Sequence, residues 1–248
     1  MMKSDPDQTG FVVSRALSLP LDLEGRLAMV RTAEALLEPV GQAGRASAYR
    51  LFGKRVFETV LVLLALPFFV PVMALCAIAL WLEGGNPFYR QIRLGRGGDR
   101  FAILKLRTMT RDADAVLEQY LAANPEMRRE WDEKQKLIND PRVTRIGSIL
   151  RKTSLDELPQ LWNVLTGEMS LIGPRPMMPD QLPMYGDPTH YFALRPGITG
   201  LWQVSARNEN SFGYRNEVDA AYSRSLSLRN DIVLIFKTVW VMARRTGC

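Results

Sequence analysis

The sequence predicts an α+β fold held against a membrane by an inserted helix. Three observations predict it. An apolar run from Val56 to Leu82 carries no charge between Thr59 and Leu82, which exceeds the roughly 20 residues a helix needs to cross a bilayer. Two short β-like pieces flank the turn Gly95-Arg96-Gly97-Gly98-Asp99 within Phe88 to Met109. Helical patterning recurs through residues 111–165 and again from Asp231 to Arg245. Of the 248 residues, 1–50 are read as a weakly ordered tail, 51–83 as a re-entrant membrane helix, and 84–248 as a cytoplasmic domain with interfacial helices.

Residues 1–50 are mixed and rich in small side chains; Leu27 to Val40 can form a short helix. Lys54 and Arg55 precede the apolar run, and Arg90, Arg93 and Arg96 follow it. Basic flanks prefer the cytoplasm, so the segment is expected to enter the membrane and turn back. Pro71 supplies the break: it has no N–H for the carbonyl four residues earlier, and its ring crowds that turn. Pro67 repeats the insult one turn before. A kinked helix that still spans is the alternative, because neighbours or water can re-satisfy the freed backbone.

Gly84-Gly85-Asn86-Pro87 reads as a turn. Residues 111–137 are charged and helix-prone, with a break near Asn124-Pro125 and an apolar stripe of Ala115, Leu117, Tyr120 and Leu121, which predicts a helical pair at the surface. Asn139-Asp140-Pro141 ends it. Helical pattern resumes over Ile146 to Arg151 and Pro159 to Leu165, and residues 172–200 are rich in Pro and Gly. The last helix carries large apolar residues with Lys237, Arg244 and Arg245, which suits a membrane interface or a core equally.

Composition narrows the chemistry. A net charge of +6 and a pI near 9.5 fit attraction to anionic headgroups or a phosphate-rich substrate. Nucleic acid is not expected as a partner, since no nucleic-acid motif accompanies the membrane segment. Cys76 lies in the apolar run and Cys248 at the end, so no disulfide framework is expected. His190 is the single histidine, which excludes a multi-His metal site and leaves any nucleophile or base to a carboxylate. A secretory signal is not expected: the apolar run starts too late and no small-residue cleavage pattern follows.

The stretch Arg151-Lys152-Thr153-Ser154-Leu155-Asp156-Glu157-Leu158-Pro159 sets adjacent carboxylates beside two cations. Ser154 and Glu157 have capping-box spacing, a routine helix start. Pro159 complicates that reading, because it biases Leu158 away from helix; the pair then sits in a turn just before one. Gly173-Pro174-Arg175-Pro176 presents an Arg between two backbone-stiffening prolines; Arg195-Pro196-Gly197-Ile198-Thr199-Gly200 repeats the design, and Arg207-Asn208 follows soon after. Each alone reads equally as a surface turn; together Arg175, Arg195 and Arg207 suggest a polyphosphate site, since guanidinium donates bidentately to phosphate. Asp219 and Tyr222 share a helical face.

These residues carry a resemblance. Lys54-Arg55-x-Phe57 ahead of a Pro-broken apolar run, Phe88-Tyr89-Arg90-Gln91, Lys105-Leu106-Arg107-Thr108-Met109, Ser154 to Gln160, Gly173 to Pro176 and Arg195 to Gly200 occur in the order and spacing of the bacterial sugar transferases, the monotopic polyprenyl-phosphate phosphoglycosyltransferases. The match runs from about Lys54 to the C-terminus. Two departures stand out: the Ser-Pro break of the family falls on Val70-Pro71, and its Gly before Arg-Asn is Ala206.

The resemblance implies a mostly helical domain around a small β element, on the cytoplasmic face of the bacterial inner membrane. It implies transfer of a sugar 1-phosphate from a UDP-sugar to polyprenyl (undecaprenyl) phosphate with release of UMP, the first membrane step of exopolysaccharide assembly, in the galactose or glucose branch. Asp156 is then the nucleophile of a covalent phosphosugar intermediate, and Asp156 and Glu157 face a Mg2+ ion; whether Glu157 is base or metal ligand stays open. Arg175 and Arg195, with Arg207 weaker, are candidates to hold phosphate oxygens, and Lys105, Arg107 and Arg151 are further substrate contacts. A membrane-tethered scaffold without turnover is the rival, and a homo-oligomer stays open.

Overall fold

The structure, a computed structural model, describes residues 31, 34, 35, 37, 48–134, 137, 139–205 and 212–243. The expected helix over Leu27 to Val40, Arg207 and the basic pair Arg244 and Arg245 lie mostly or wholly outside these.

A π-helical turn over Tyr49–Gly53 leads directly into α1, Lys54–Gly84, 31 residues long. Both Pro67 and Pro71 lie inside it, and helix continues through them, so the expected separation into two helical pieces is not seen. Each proline removes the N–H that would meet the carbonyl four residues earlier, those of Leu63 and Pro67. The segment from Tyr49 to Gly84 is long and apolar enough to cross a membrane and is largely unburied; Leu63, Leu64, Phe68 and Leu75 are exposed.

Positive φ at Gly84 and Gly85 turns the chain into a β-hairpin. Strands β1, Phe88–Leu94, and β2, Arg100–Leu106, pair antiparallel from Phe88↔Leu106 to Leu94↔Arg100, around the predicted turn. Helices α2, Ala113–Ala123, and α3, Pro125–Lys134, form the expected surface pair. They are joined at Asn124, and Leu117 and Leu121 pack with Leu137, Met127 and Trp131. Then come α4, Arg145–Thr153, a 3-10 turn at Leu155–Glu157, and α5, Gln160–Thr166.

Two short strands that the sequence did not reveal follow. β3, Ser170–Ile172, and β4, Gly197–Thr199, pair parallel, so the Gly173-Pro174-Arg175-Pro176 and Arg195 to Gly200 motifs form one unit. Their glycines are steric necessities: a Cβ at Gly173 would strike the Arg195 carbonyl, and one at Gly197 the Gly173 nitrogen. Between them lie α6, Leu182–Tyr185, and α7, Thr189–Phe192. The chain closes with α8, Leu201–Ser205, α9, Phe212–Arg224, and α10, Leu228–Ala243. Ile172, Leu201, Tyr214, Val218, Tyr222 and Leu234 make the main core. The outer face of α10 exposes Ile232, Phe236, Val239 and Trp240.

The start of α1 is bolted to this body by a buried polar cluster. Lys54 Nζ donates to Glu58 and to Asp231, each at 2.7 Å. Glu58 also accepts from the Ser170 hydroxyl and the Ile172 N–H, and Asp231 from the hydroxyls of Tyr49 and Tyr222. Further along, Val62 packs on Phe101, Ile103 and Val164. The far end is held as well: Arg107 donates to the carbonyls of Gly84, at 2.9 Å, and Leu80, at 3.2 Å, and Leu80 packs on Leu106 and Leu150.

Candidate active site

Thr144 caps α4, its hydroxyl accepting from the Gly147 N–H at 2.9 Å. Gly147 lets α4 press against the loop after β2, because a Cβ there would collide with the Thr108 carbonyl. At the other end Ser154 adopts φ 56°, ψ 18°, a left-handed conformation that few non-glycine residues use. That reversal ends α4 and swings the chain into the 3-10 turn holding Asp156 and Glu157. Ser154 makes no side-chain cap, so the capping box suggested by spacing is not formed. The dyad occupies the turn between α4 and α5, the arrangement Pro159 favoured.

Asp156 is buried, 9% exposed. Its carboxyl is pushed above the usual aspartate range, first by burial and then by the neighbouring Glu157 charge; Lys105 and Arg151 pull the other way without cancelling the rise. Glu157 is half-buried and pairs with Lys105 Nζ at 2.8 Å. Arg151 is steadied by its Nε donating to the Thr108 hydroxyl at 2.9 Å. Strand β2 and helix α4 thus deliver two cations to two carboxylates, and Asp156, Glu157, Lys105 and Arg151 are brought together.

Asn163, in α5, fixes this geometry and was not singled out from sequence. Its side-chain oxygen accepts from the Leu104 N–H at 3.0 Å, and its amide nitrogen donates to the Ala102 carbonyl at 2.9 Å and to Glu168 at 2.8 Å. It behaves as one more strand residue along the free edge of β2 and is fully buried, 1% exposed. The signal was available: Asn163 is the lone amide within Leu161-Trp162-Asn163-Val164-Leu165.

The remaining predicted cations fall elsewhere. Arg107 is committed to the end of α1, as described. Arg195 donates through Nε to the Gly167 carbonyl at 2.7 Å, and Arg55 donates to the carbonyls of Val164 and Leu165. The pair closes the C-terminus of α5, where cations are favoured. Burial, followed by the charges of Arg96 and Arg55, pushes the Arg195 guanidinium down. Arg175 lies with Arg93, read from sequence only as a basic flank of the apolar run, and with Arg215, which was not singled out. Burial, then Arg175, lowers Arg93 to about 10, and Arg215 donates to the Arg175 carbonyl. Like charges gathered this way suit a polyanion. Asp219 and Tyr222 do share a buried helix face: Tyr185 donates to Asp219 at 2.5 Å, and Tyr222 donates to Asp231.

No group of three or more His, Cys, Asp or Glu is placed to hold a metal among the described residues. Two adjacent carboxylates fit Mg2+, which retains water and shares its coordination with substrate phosphates, more than a metal enclosed by protein ligands alone.

With this geometry in place, comparison with known proteins is informative. The profile of the family described as Bacterial sugar transferase matches residues 49–245. A UDP-galactose-lipid carrier transferase of Erwinia amylovora is 48% identical over 197 residues, covering 79% of this chain and 41% of that protein. The exopolysaccharide production protein ExoY of Rhizobium meliloti is 45% identical over 188 residues, 75% of this chain and 83% of its own length. An undecaprenyl-phosphate galactose phosphotransferase of Salmonella typhimurium is 44% identical over 197 residues, 79% of this chain and 41% of that protein. The chain therefore spans about two fifths of the length of the larger relatives and most of the smaller one.

Proposed function

The chain belongs to the bacterial sugar transferase family, and from that premise we propose that it moves a hexose 1-phosphate from a UDP-sugar to a polyprenyl phosphate, opening exopolysaccharide assembly. The observation that carries this reading is Asp156, a buried carboxylate beside Lys105, Arg151 and Glu157, on a body that grips an apolar membrane-length helix. Its relatives' names supply the substrates: UDP-galactose or undecaprenyl phosphate, and galactose or glucose.

In the proposed reaction an Asp156 carboxylate oxygen attacks the phosphorus that bears the sugar. The bond from that phosphorus to the bridging oxygen breaks, and UMP leaves with the electron pair. A phosphate oxygen of the polyprenyl phosphate then attacks the same phosphorus, breaking its bond to Asp156 and restoring the carboxylate. A carboxylate nucleophile splits one hard transfer into two easier ones. Lys105 and Arg151 offset charge on the phosphoryl oxygens as it builds. Asp156 and Glu157 would hold Mg2+, which when bound neutralises phosphate charge. Arg93 and Arg175 are the candidates for the remaining anionic part of the donor.

Asp156→Asn tests the assignment: the wild-type chain takes up label from a sugar-phosphate-labelled donor, and the variant does not. Labelling that persists in Asp156→Asn overturns the nucleophile. UMP release that requires both donor and polyprenyl phosphate separates the transferase from a tethered scaffold.

A re-entrant anchor on the cytoplasmic face of the inner membrane belongs to the same proposal. What supports it is that one globular body holds both ends of α1, through Arg55 and Lys54 at one end and Arg107 at the other. A helix that crosses a bilayer has its ends on opposite faces. A thiol introduced ahead of Arg50 should react from the cytoplasmic side; reaction from the periplasm alone would refute the topology.

A further inference from the structure

We propose that the open cavity between the second half of α1, β1 and α5 is the seat of the lipid acceptor's first isoprene units, with Arg90 as the handle for its phosphate. This deepens the transferase reading and rests on it.

The cavity has a volume of about 770 Å³. Met73 of α1, Phe88 and Tyr89 of β1, Leu104 of β2 and Trp162 of α5 form its apolar wall. These aromatics are unusually bare: Phe88 is 45% exposed, Tyr89 48% and Trp162 61%. Large aromatic side chains left unburied around one concavity mark a surface that something apolar covers. Two observations identify the occupant as a membrane-borne chain. Met73 belongs to the membrane-length helix, whose neighbouring residues Phe68, Val70, Leu75 and Ile78 are also exposed, so the cavity wall is continuous with the surface offered to lipid. The wall also includes residues close in sequence to the catalytic turn. Pro159, which also lines it, stands three residues after Asp156, and Leu104 precedes the Lys105 that pairs with Glu157.

Arg90 supplies charge complementarity. It is exposed on the cavity wall and, among the described residues, its side chain has no hydrogen bond or ion pair. It is the cation among the residues that line this cavity. A guanidinium without a side-chain partner among the described residues, at the wall of an apolar groove, matches a ligand with a single anionic head and a long hydrocarbon tail.

The test uses the full chain in phospholipid nanodiscs and a polyprenyl phosphate carrying a diazirine on its second isoprene unit. Photoadducts are expected on 86–90 or 159–162, and unlabelled undecaprenyl phosphate should compete them away. Trp162→Ala, Phe88→Ala and Arg90→Ala should each raise the acceptor KM about tenfold, the size of one lost anchoring contact of about 1.4 kcal/mol, and Arg90→Lys should recover part of it. Donor-only labelling of Asp156 should be unchanged in all of them, because it precedes acceptor entry. Adducts elsewhere, no competable adducts, an acceptor KM within about twofold of wild type in all three alanine variants, or a parallel loss of donor labelling would overturn the proposal. So would a monomer–dimer shift in Trp162→Ala, which would make the groove a contact between copies. A wild-type chain that takes no label from donor would sink the transferase reading instead, and the crosslinking result would still decide the groove.

Discussion

Asn163→Ala is the sharpest test of how the fold positions the dyad. The substitution removes three hydrogen bonds made by one buried amide: two to the backbone of β2, at Leu104 and Ala102, and one to Glu168. The side chain is 1% exposed, so water does not readily replace it. Each backbone group left unpaired in the interior costs about 1–3 kcal/mol, giving a loss of about 2–6 kcal/mol for the two. For a domain of this size about 2–4 °C of Tm accompanies each kcal/mol, so a fall of about 4–24 °C is expected. Asn163→Asp keeps the acceptor for Leu104 but exchanges the donor for an oxygen facing the Ala102 carbonyl and Glu168, and should be at least as damaging. Circular dichroism melting of the detergent-solubilised protein measures both. Below the melting point, donor labelling should also slow, because α5 no longer fixes the turn at Asp156 against Lys105. A Tm within about 1 °C of wild type, with labelling unchanged, would refute the claim that the amide ties α5 to β2.

Two further outcomes are expected. Lys54→Met leaves Glu58 and Asp231, 2% and 0% exposed, as buried carboxylates without their shared cation, and should cost about 3–5 kcal/mol, read as a lowered Tm; an unchanged Tm would show that the cluster is not what holds α1. Burial raises the Asp156 carboxyl, and only the ionised form attacks, so donor labelling should climb as pH rises through that raised value; a rate still flat at the ordinary aspartate value, about 3.9, would refute it. The same shift sets the stability sign. The protonated form favours the native state, and that advantage is full below the unfolded value and lost as pH rises through the folded one. Asp156→Asn should therefore melt higher than wild type at neutral pH and show no such gain in acid.

Patterns that depend on local spacing were legible in the sequence. The hairpin around Gly95 to Asp99, the helical pair broken at Asn124-Pro125, and α4 and α5 all follow from periodicity and turn residues. So does the grouping of Asp156, Glu157 and Arg151, which lie six residues apart or less. Lys105 joined them only through the resemblance, since nothing local says that β2 crosses the turn. Features set by tertiary approach were not legible. β3 and β4 are three residues each, too short for a period-2 signal, and the glycines beside them read as loop because their purpose is close backbone contact. The Lys54, Glu58 and Asp231 cluster joins residues 177 positions apart. Spacing said that arginines near Gly and Pro would serve phosphate. It did not say that Arg107, Arg195 and Arg55 face helix carbonyls, because a guanidinium suits a C-terminal carbonyl and a phosphate oxygen equally well.

The anchor shows why such commitments matter to function. The sequence assigned the work of turning the membrane segment to its prolines alone. In the structure helix runs on through both, and each proline withholds the N–H that would meet the carbonyl of Leu63 or of Pro67. Unpaired carbonyls are costly in hydrocarbon and tolerable where water or protein reaches them. In the proposed topology, that difference favours a shallow position for the middle of α1. The arginine pins act independently. Val62 and Leu80, about 27 Å apart on a straight helix, both pack on side chains of the single strand β2. That strand also carries Lys105. The element that receives both halves of the anchor is thus the one that places a cation on the catalytic turn, and in the proposed mechanism the depth of α1 sets the height of Asp156 above the lipid. A lipid-borne phosphate then meets the nucleophile without leaving the interface, which is the physical advantage of a shallow anchor over a spanning one.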